Sequence, residues 1–154
     1  MQIEFRQYQA EHREAIINIF ASNCPKYFHT SDLPDLIKFL DNYADNNFLV
    51  VKIKEKIYGC GGHYISQEKK IFGIAWVMFE RNSLGFTYFK SISDNFYQEI
   101  IRRIKNENLD YEVEINTTQL MERLFSLYGF ETAKIIKDGF GKGLDHHIMR
   151  LQLK

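Results

Sequence analysis

One segment of the chain joins a buried strand, a glycine-containing turn and a long helix in an order that suits anion binding. Residues 77–87 read VMFERNSLGFT, between an apolar run and a helical pattern. The first N–H groups of a helix have no partner within it, and the helix dipole places partial positive charge there. Such a corner can hold a pyrophosphate; Gly85 allows close approach to the backbone, and Arg81 adds charge.

Two carboxylates are candidates for proton transfer. Residues 110–116 alternate between polar and apolar side chains, which predicts a strand with Glu112 and Glu114 on one face. Of the two, we prefer Glu114 as a general base for an amine. Two other interpretations stay open: the pair could hold a cationic amine without taking its proton, or Glu114 could be an ordinary solvated carboxylate.

Two further features predict no site. Successive side chains of a strand point to opposite faces, so the adjacent His146 and His147 cannot bind one metal ion together. The glycines at 139, 141 and 143 precede a predicted strand instead of a helix and lack the Lys-Ser/Thr pair of a P-loop, so we interpret them as a turn. We predict no metal site.

Hydrophobic periodicity predicts eleven elements in the order β-α-α-β-β-β-α-β-α-β-β. The run 71–79 (IFGIAWVMF) is apolar almost throughout, which is typical of a central strand covered on both faces. The predicted strands are 3–8, 48–53, 57–65, 71–79, 110–116, 130–136 and 146–153, and the predicted helices are 12–22, 32–43, 84–105 and 117–127.

Composition narrows the class of protein. At 154 residues the chain suits one domain, spanning 1–154. Twenty basic residues balance twenty acidic ones, which argues against a nucleic-acid partner, and no apolar run has transmembrane length, so no membrane partner is expected. Cys24 and Cys60 lie far apart without metal-ligand spacing. We therefore expect reduced thiols and a cytoplasmic location.

The element order and the 77–87 turn resemble the GNAT superfamily of acetyl-CoA-dependent N-acetyltransferases, whose fingerprint Q/R-x-x-G-x-G/A lies at this junction. Against the common form V-x-P-E-Y-R-G-K-G-I-G the chain keeps Val77, Glu80 and Gly85. It places Asn82 at the first Q/R position and Thr87 at the last small position. The resemblance implies an α/β (α+β) fold with a mixed, mostly antiparallel sheet of about seven strands and about four flanking helices.

The resemblance also implies acetyl-CoA as the acyl-donor substrate. In the family the sheet splays between its fourth and fifth strands, so backbone N–H groups near Val77 and Met78 would polarise the thioester carbonyl. The remaining contacts to the cofactor are expected from the corner itself, namely Arg81, Asn82, Ser83, Leu84, Gly85, Phe86 and Thr87. Arg81, one position early, would replace the missing cation.

A second similarity lies at 118–130, where TQLMERLFSLYGF matches the family pattern N-x-x-A-x-x-L-Y-x-K-x-G-F at Leu124, Gly129 and Phe130. Thr118 stands at the Asn position and Phe125 at the Tyr position, and both are expected to contact the cofactor. The family's tyrosine commonly protonates the departing thiolate. The replacement acid we prefer is Tyr128, one helical turn later, although it could equally be a packing residue.

These features predict an enzyme that transfers acetyl directly from acetyl-CoA to a primary amine of a small molecule or peptide. The apolar surroundings of Cys60 argue against a covalent intermediate, and His29 lies where the family often builds its acceptor gate. The alternative is a non-catalytic acyl-CoA-binding or regulatory module, which the absence of Tyr at 125 and of Q/R at 82 keeps open. A bulkier acyl donor and a homodimer through the last strands are also consistent with the family.

Overall fold

The computed structural model describes residues 2–153, which form seven strands and four α-helices in the predicted order. The strands are β1 (Ile3–Gln7), β2 (Phe48–Ile53), β3 (Lys56–Ser66), β4 (Ile71–Phe79), β5 (Glu112–Thr117), β6 (Glu131–Ile136) and β7 (His146–Leu151). The helices are α1 (Arg13–Ser22), α2 (Leu33–Asn42), α3 (Phe86–Lys105) and α4 (Glu122–Leu127). Short 3-10 turns precede α1 and α2.

The strands form one sheet in the order β1-β2-β3-β4-β5-β7-β6. Only the β4–β5 pair is parallel, because α3 crosses between those two strands, and the other pairs are antiparallel. The apolar strand β4 is the fourth of seven, as its composition predicts. The structure thus confirms the predicted mixed, mostly antiparallel sheet flanked by four helices.

Two hydrophobic layers cover the two faces of the sheet. On one face, the buried stripe of α3 packs on Phe72, Ile74, Val113 and Ile115. On the other face, α1 and α2 pack on Val50, Cys60 and Met78. The stripe of α3 consists of Ile92, Phe96, Ile100, Ile101 and Ile104, as helical periodicity predicts. We refer to these faces as the α3 face and the α1/α2 face.

The prediction of a helix over 117–127 is wrong in its first half. Thr117 is the last residue of β5, and α4 begins only at Glu122. The Thr118 hydroxyl accepts a hydrogen bond from the Leu120 N–H (3.2 Å), and its carbonyl accepts one from the Met121 N–H (3.0 Å). A threonine side chain that bonds the local backbone stabilises a turn at the expense of a helix.

Asp32 occupies the predicted N-cap position of α2, but its carboxylate does not cap that helix. It accepts a hydrogen bond from the His29 N–H (3.3 Å), since a 3-10 turn over Thr30–Asp32 separates the loop from the helix. No helix within residues 2–153 combines the length and the apolar composition needed to cross a membrane.

Candidate functional site

The hydrogen-bonded ladder between β4 and β5 is short. It runs from the pair Ile71–Glu112 to the pair Ile74–Ile115 and then stops, although both strands continue. Beyond Ile74, the edge of β4 that faces β5 has no strand partner in the described chain. We call the opening between the unpaired ends of β4 and β5 the gap; an extended ligand can bond there to backbone groups as a strand would.

A β-bulge shapes β4 beside the gap. Cys60 pairs with Met78 and Gly62 with Ala75, so two residues of β4, Trp76 and Val77, lie opposite one residue of β3. Trp76 has a φ of 54°, a conformation that a non-glycine residue rarely adopts. Bulges and such backbone conformations are concentrated at functional sites, where they redirect backbone groups.

A buried thiol supports the bulge. The Cys60 Sγ donates a hydrogen bond of 3.3 Å to the Trp76 carbonyl. Burial raises the pKa of this thiol far above its usual range, so it stays protonated and available as a donor. Cys60 therefore acts as a packing and hydrogen-bonding residue behind the bulge.

The corner after β4 presents backbone donors to solvent. Within residues 2–153 the amides of residues 82–87 have no hydrogen-bond acceptor, whereas the neighbouring Arg81 amide donates to Ser22 Oγ at 3.1 Å. Gly85 is the N-cap of α3, with φ −64° and ψ 152°, and an added Cβ would meet no atom within 4 Å. The corner therefore combines a helix N-terminus with open space for an anion.

The charges around the corner favour an anion. Arg81 is exposed, and its guanidinium lies 5.7 Å from the centre of the Tyr27 ring. The carboxylate of Glu80, which would repel a phosphate, lies 3.1 Å from Lys56 Nζ. This ion pair screens the acidic neighbour and leaves Arg81 as the charge on the loop.

Glu114 lies on the α1/α2 face, because its neighbours Val113 and Ile115 belong to the core on the α3 face. Its side chain is only 9% exposed, and Oε2 lies 3.2 Å from Arg150 Nη2. Its Oε1 accepts a hydrogen bond of 3.3 Å from Asn116 Nδ2. The solvated-carboxylate interpretation of Glu114 is therefore wrong: the group is buried and paired.

The network continues to a histidine. Asn116 Oδ1 lies 2.6 Å from His146 Nε2, and the His146 ring packs on Phe140 with centroids 4.3 Å apart. Burial is the main reason that the pKa of His146 is lowered. The adjacent His147 contacts Glu122 of α4 at 3.1 Å, which confirms that the two histidines point to opposite faces.

Aromatic side chains border the α1/α2 side of the gap. Phe20 and Phe28 pack on Trp76, with centroid distances of 6.4 and 5.9 Å. A Cβ at Gly141 would lie 2.5 Å from atoms of the His29 ring, so the α1–α2 and β6–β7 connections touch. These two connections therefore meet near Phe28, which packs on Trp76, and Phe140, which packs on His146.

Phe125 and Tyr128, which are expected on the α3 side of the gap, pack against other aromatic side chains. Phe125 is buried and packs edge-on against Phe130, at 5.7 Å. The Tyr128 hydroxyl donates to the Asp94 carboxylate, and its ring stacks on Tyr97 with centroids 4.1 Å apart. Burial, followed by Asp94, raises the pKa of Tyr128, which weakens it as an acid.

The other residues predicted to contact the cofactor differ in how far their side chains are buried. The Met78 side chain is buried in the core on the α1/α2 face, and Val77 packs against the core on the α3 face. Thr118 is buried at the end of β5, at the far side of the gap. Val77 can contribute its backbone N–H at the gap, whereas the Met78 backbone is paired with Cys60 of β3. Most of the corner is exposed.

Sequence reasoning missed four residues on the α1/α2 side of the gap, namely Trp76, Asn116, His146 and Arg150. Strand alternation puts Asn116 on the face of Glu114, but only the β5–β7 register adds Arg150 opposite Glu114. A cavity of about 410 Å³ lies along β1 and α3, away from the gap, and one of about 590 Å³ lies between α1 and the β2–β3 hairpin and reaches Ser22 and Glu80 beside the corner. Residues 2–153 contain no group of three or more His, Cys, Asp or Glu arranged to hold a metal ion.

Comparisons by sequence are negative: no model of a protein family matches the chain, and no curated protein does. Solved structures match closely. A protein assigned to the GNAT family of acetyltransferases, from Desulfovibrio desulfuricans, has a TM-score of 0.78 at 12% identity over 98% of this chain and 99% of its own. A chain of the NatC complex bound to Gag peptide and CoA gives 0.74 at 15% identity over the whole of both chains.

The C-terminal condensation domain of Ebony, solved with beta-alanyl-dopamine, has a TM-score of 0.76 at 12% identity over 99% of this chain and 100% of its own. At such identities the likeness establishes the fold. The order of elements, the single parallel pair and the central position of β4 agree with the family resemblance drawn from residues 77–87 and 118–130. This chain has the GNAT fold.

Proposed function

We propose that the protein is an N-acetyltransferase that binds acetyl-CoA in the gap and transfers the acetyl group directly to a primary amine. One observation carries the proposal: β4 loses its ladder to β5 after Ile74, passes through the bulge at Trp76 and enters a corner with unpaired amides at 82–87. A pantetheine arm can bond the free edge of β4, while a diphosphate occupies the corner.

The corner would bind the diphosphate through several weak donors acting together. The amides from Asn82 to Thr87 supply hydrogen bonds, the dipole of α3 favours negative charge, and Arg81 adds a cation. Asn82 replaces the usual Q/R of the family, so Arg81 carries more of the charge. A structural neighbour, the NatC complex, was solved with CoA, which supports this class of ligand.

The reaction needs little from side chains at the carbonyl. The neutral amine nitrogen attacks the thioester carbon, the oxygen gains negative charge, and the C–S bond then breaks to give the amide and the CoA thiolate. The backbone N–H of Val77, beside the bulge, would stabilise the oxyanion, whereas Met78 is paired with Cys60 of β3. The proton lost by the amine must reach a base, and we propose the carboxylate network of Glu114 for this role.

The thiolate leaves as a moderate base, with a pKa of about 8.5 if it resembles a free thiol. Tyr128 is the proposed acid, although its hydroxyl would have to turn away from Asp94 to deliver a proton. Phe125 offers no hydroxyl in its place. The departing thiolate therefore needs only modest assistance from a general acid.

The acceptor would approach from the α1/α2 face, over the aromatic side chains of Phe28 and Trp76. Known neighbours do not narrow its class: Ebony was solved with beta-alanyl-dopamine and NatC with a peptide. Both a small-molecule amine and a peptide amine fit the proposal. The aromatic walls favour an amine that carries an apolar group.

Direct transfer is favoured over an acetyl-cysteine intermediate. Burial raises the pKa of Cys60 and, to a smaller extent, of Cys24, so neither thiol is an activated nucleophile. Both cysteines are free, as expected for a protein of the reducing cytoplasm, where we propose that it works.

The second candidate function is a non-catalytic acyl-CoA-binding module. Phe125 and Asn82 favour it, because each replaces a residue that the family uses for catalysis or binding. Calorimetry with acetyl-CoA, followed by thiol release with a panel of amines, separates the two. Binding with turnover supports the enzyme, binding without turnover on any amine supports the module, and no binding contradicts both. Tighter binding of a longer acyl-CoA would indicate another donor.

We also propose a homodimer through β6. This strand is at the edge of the sheet, every residue of it is exposed, and Ile135 is 54% exposed. An exposed edge strand with unpaired backbone groups is a template for pairing with a second copy. Light scattering should give twice the chain mass, and Ile135→Lys should restore the monomer; a monomeric wild type would contradict the proposal.

A further inference from the structure

Four polar side chains on the α1/α2 face are linked by a continuous series of contacts. Arg150 pairs with Glu114 Oε2 at 3.2 Å, and Glu114 Oε1 accepts from Asn116 Nδ2 at 3.3 Å. Asn116 Oδ1 then lies 2.6 Å from His146 Nε2. Each contact limits which atom of the next residue can carry hydrogen.

This series of side-chain contacts fixes the tautomer of His146. A carboxylate has only acceptor atoms, so the Asn116 group that faces Glu114 must be its NH2. The Asn116 carbonyl oxygen then faces His146 Nε2, which must be the protonated nitrogen. In a neutral imidazole the other nitrogen carries a lone pair. Within residues 2–153 no group hydrogen-bonds His146 Nδ1, so this lone pair is available.

His146 lies closer than Glu114 to the open end of the β4–β5 pair. Glu114 lies opposite Gly73, inside the paired part of β4 and β5, and Thr117 pairs with His147 of β7. Strands rise about 3.3 Å per residue, so His146, four residues from the Arg150 that faces Glu114, stands roughly 13 Å further toward the open end than Glu114. The imidazole, and not the carboxylate, is level with the unpaired ends of the strands.

We propose that His146 Nδ1 is the atom that accepts the proton of the acceptor amine, with Asn116 and Glu114 as positioning residues. The inference rests on the proposed acetyl transfer and replaces Glu114 by His146 at one step. The amine lone pair forms the new N–C bond, the C–S electron pair leaves with the CoA sulfur, and the amine proton moves to Nδ1. The imidazolium then returns the proton to the thiolate or to water.

The surroundings of His146 suit a base near neutral pH. Burial lowers its pKa below the ordinary value of 6.5, so the ring is neutral at pH 7 and able to accept a proton. Three titratable groups act on it: Glu114 of β5 raises the pKa, whereas His147 of β7 and Lys134 of β6 lower it. When Nδ1 gains a proton, the linked carboxylate of Glu114 stabilises the imidazolium.

Two variants separate a base at His146 from a base at Glu114. Thiol release from acetyl-CoA is measured against pH with 2-phenylethylamine and with an alanine-initiated tetrapeptide. His146→Ala should lower kcat about 100-fold, with the acetyl-CoA Kd within about twofold, and added imidazole should restore part of the rate. Glu114→Gln should lose less than about tenfold and move the acidic limb of kcat to lower pH, because a charge that raises the pKa of His146 is removed.

His12→Ala, in the 3-10 turn before α1, is the control and should keep the wild-type rate and pH profile. The ring-nitrogen shifts of His146 in ¹⁵N NMR spectra should show the Nε2–H form at pH 7.5, independently of turnover. Unchanged kcat in His146→Ala, an Nδ1–H tautomer, or loss of all activity in Glu114→Gln would overturn the inference. Absence of wild-type turnover with every amine would instead overturn the proposed function, and this inference with it.

Discussion

Phe28 stacks on Trp76, with ring centroids 5.9 Å apart and an angle of 27° between the ring planes. Trp76 is the bulge residue of β4, and Phe28 belongs to the connection between α1 and α2. The stack therefore joins the α1–α2 connection to the strand that borders the gap. It gives the first prediction.

Phe28→Ala should raise the KM of the acceptor amine while leaving the acetyl-CoA Kd within about twofold. Loss of the half-buried ring should also destabilise the fold by about 1–2 kcal/mol. Phe39→Ala is the matched control, because it removes a comparable aromatic pair with Phe48, away from the gap. Equal effects of the two variants on the amine KM would contradict the assignment of the acceptor side. Steady-state kinetics and thermal unfolding supply both measurements.

Gly85→Ala should affect ligand binding much more than stability. The φ of −64° is ordinary for alanine, and its Cβ would meet no atom within 4 Å. Alanine reduces the entropy of the unfolded chain but is a poorer N-cap than glycine, so the stability of the free protein should change by less than about 1 kcal/mol. The methyl group would occupy the space of the diphosphate, so we expect the acetyl-CoA Kd to rise about tenfold. Calorimetry that finds an unchanged Kd would place the diphosphate elsewhere.

Arg81→Ala should weaken acetyl-CoA binding about fivefold at low salt, and the difference from wild type should shrink as salt is raised. The exposed Lys69→Ala variant, in the turn before β4, removes the same charge at a distance. It should leave the Kd unchanged. A similar loss in both variants would indicate only a general effect of net charge.

Arg150→Met should destabilise the protein by about 2 kcal/mol, because it leaves the buried Glu114 carboxylate without its cation. The double variant Glu114→Gln/Arg150→Met should be more stable than Arg150→Met alone, since no buried charge remains. Urea denaturation of the four proteins gives the coupling between the two positions. Additive effects would show that Arg150 contributes nothing specific to Glu114.

The stability contributed by Asp94 should disappear in acid. Lys90 and Tyr128 hold the pKa of the Asp94 carboxyl below its ordinary value of 3.8 in the folded protein. A lowered pKa stabilises the fold above the unfolded value, and this contribution is lost as the pH falls through the folded value. Asp94→Asn should therefore be less stable than wild type at pH 7, and the difference should shrink as the pH falls below 3.8 and through the lowered folded pKa of Asp94. Thermal unfolding across that range tests the sign.

Tyr128→Phe tests the proposed acid at the same contact. Because the hydroxyl donates to Asp94, we expect kcat to fall less than about tenfold. A much larger loss, with the acetyl-CoA Kd unchanged, would show that the hydroxyl leaves Asp94 during turnover. Neither outcome predicts a larger difference in stability between Asp94→Asn and wild type.

Local sequence patterns anticipate the fold well. The period-2 and period-3.6 patterns depend on neighbours within one element, so they predict β4, with its bounds at Ile71 and Phe79, and the buried stripe of α3. They fail at 118–121, where a Thr118 hydroxyl bonds the backbone and replaces the expected first turn of a helix. The corner at 82–87 is likewise visible from Gly85 and the helix that follows it.

The environment of Glu114 was beyond the reach of local patterns. Alternation places it on the polar face of β5, but its burial depends on Arg150, thirty-six positions later, which the β5–β7 register brings opposite it. The same register carries His146 to Asn116. Pairing between distant strands is set by the packing of the whole sheet, and no local pattern encodes it.

The sequence by itself determined the order of elements, the apolar central strand and the polar, glycine-containing turn that leads into α3, because each follows from side-chain spacing along a short stretch of chain. Only the tertiary structure decided where the β4–β5 ladder ends, that Trp76 forms a bulge and that Glu114 connects to His146. These features arise where residues distant in sequence are brought within hydrogen-bonding distance, and their geometry depends on both partners at once.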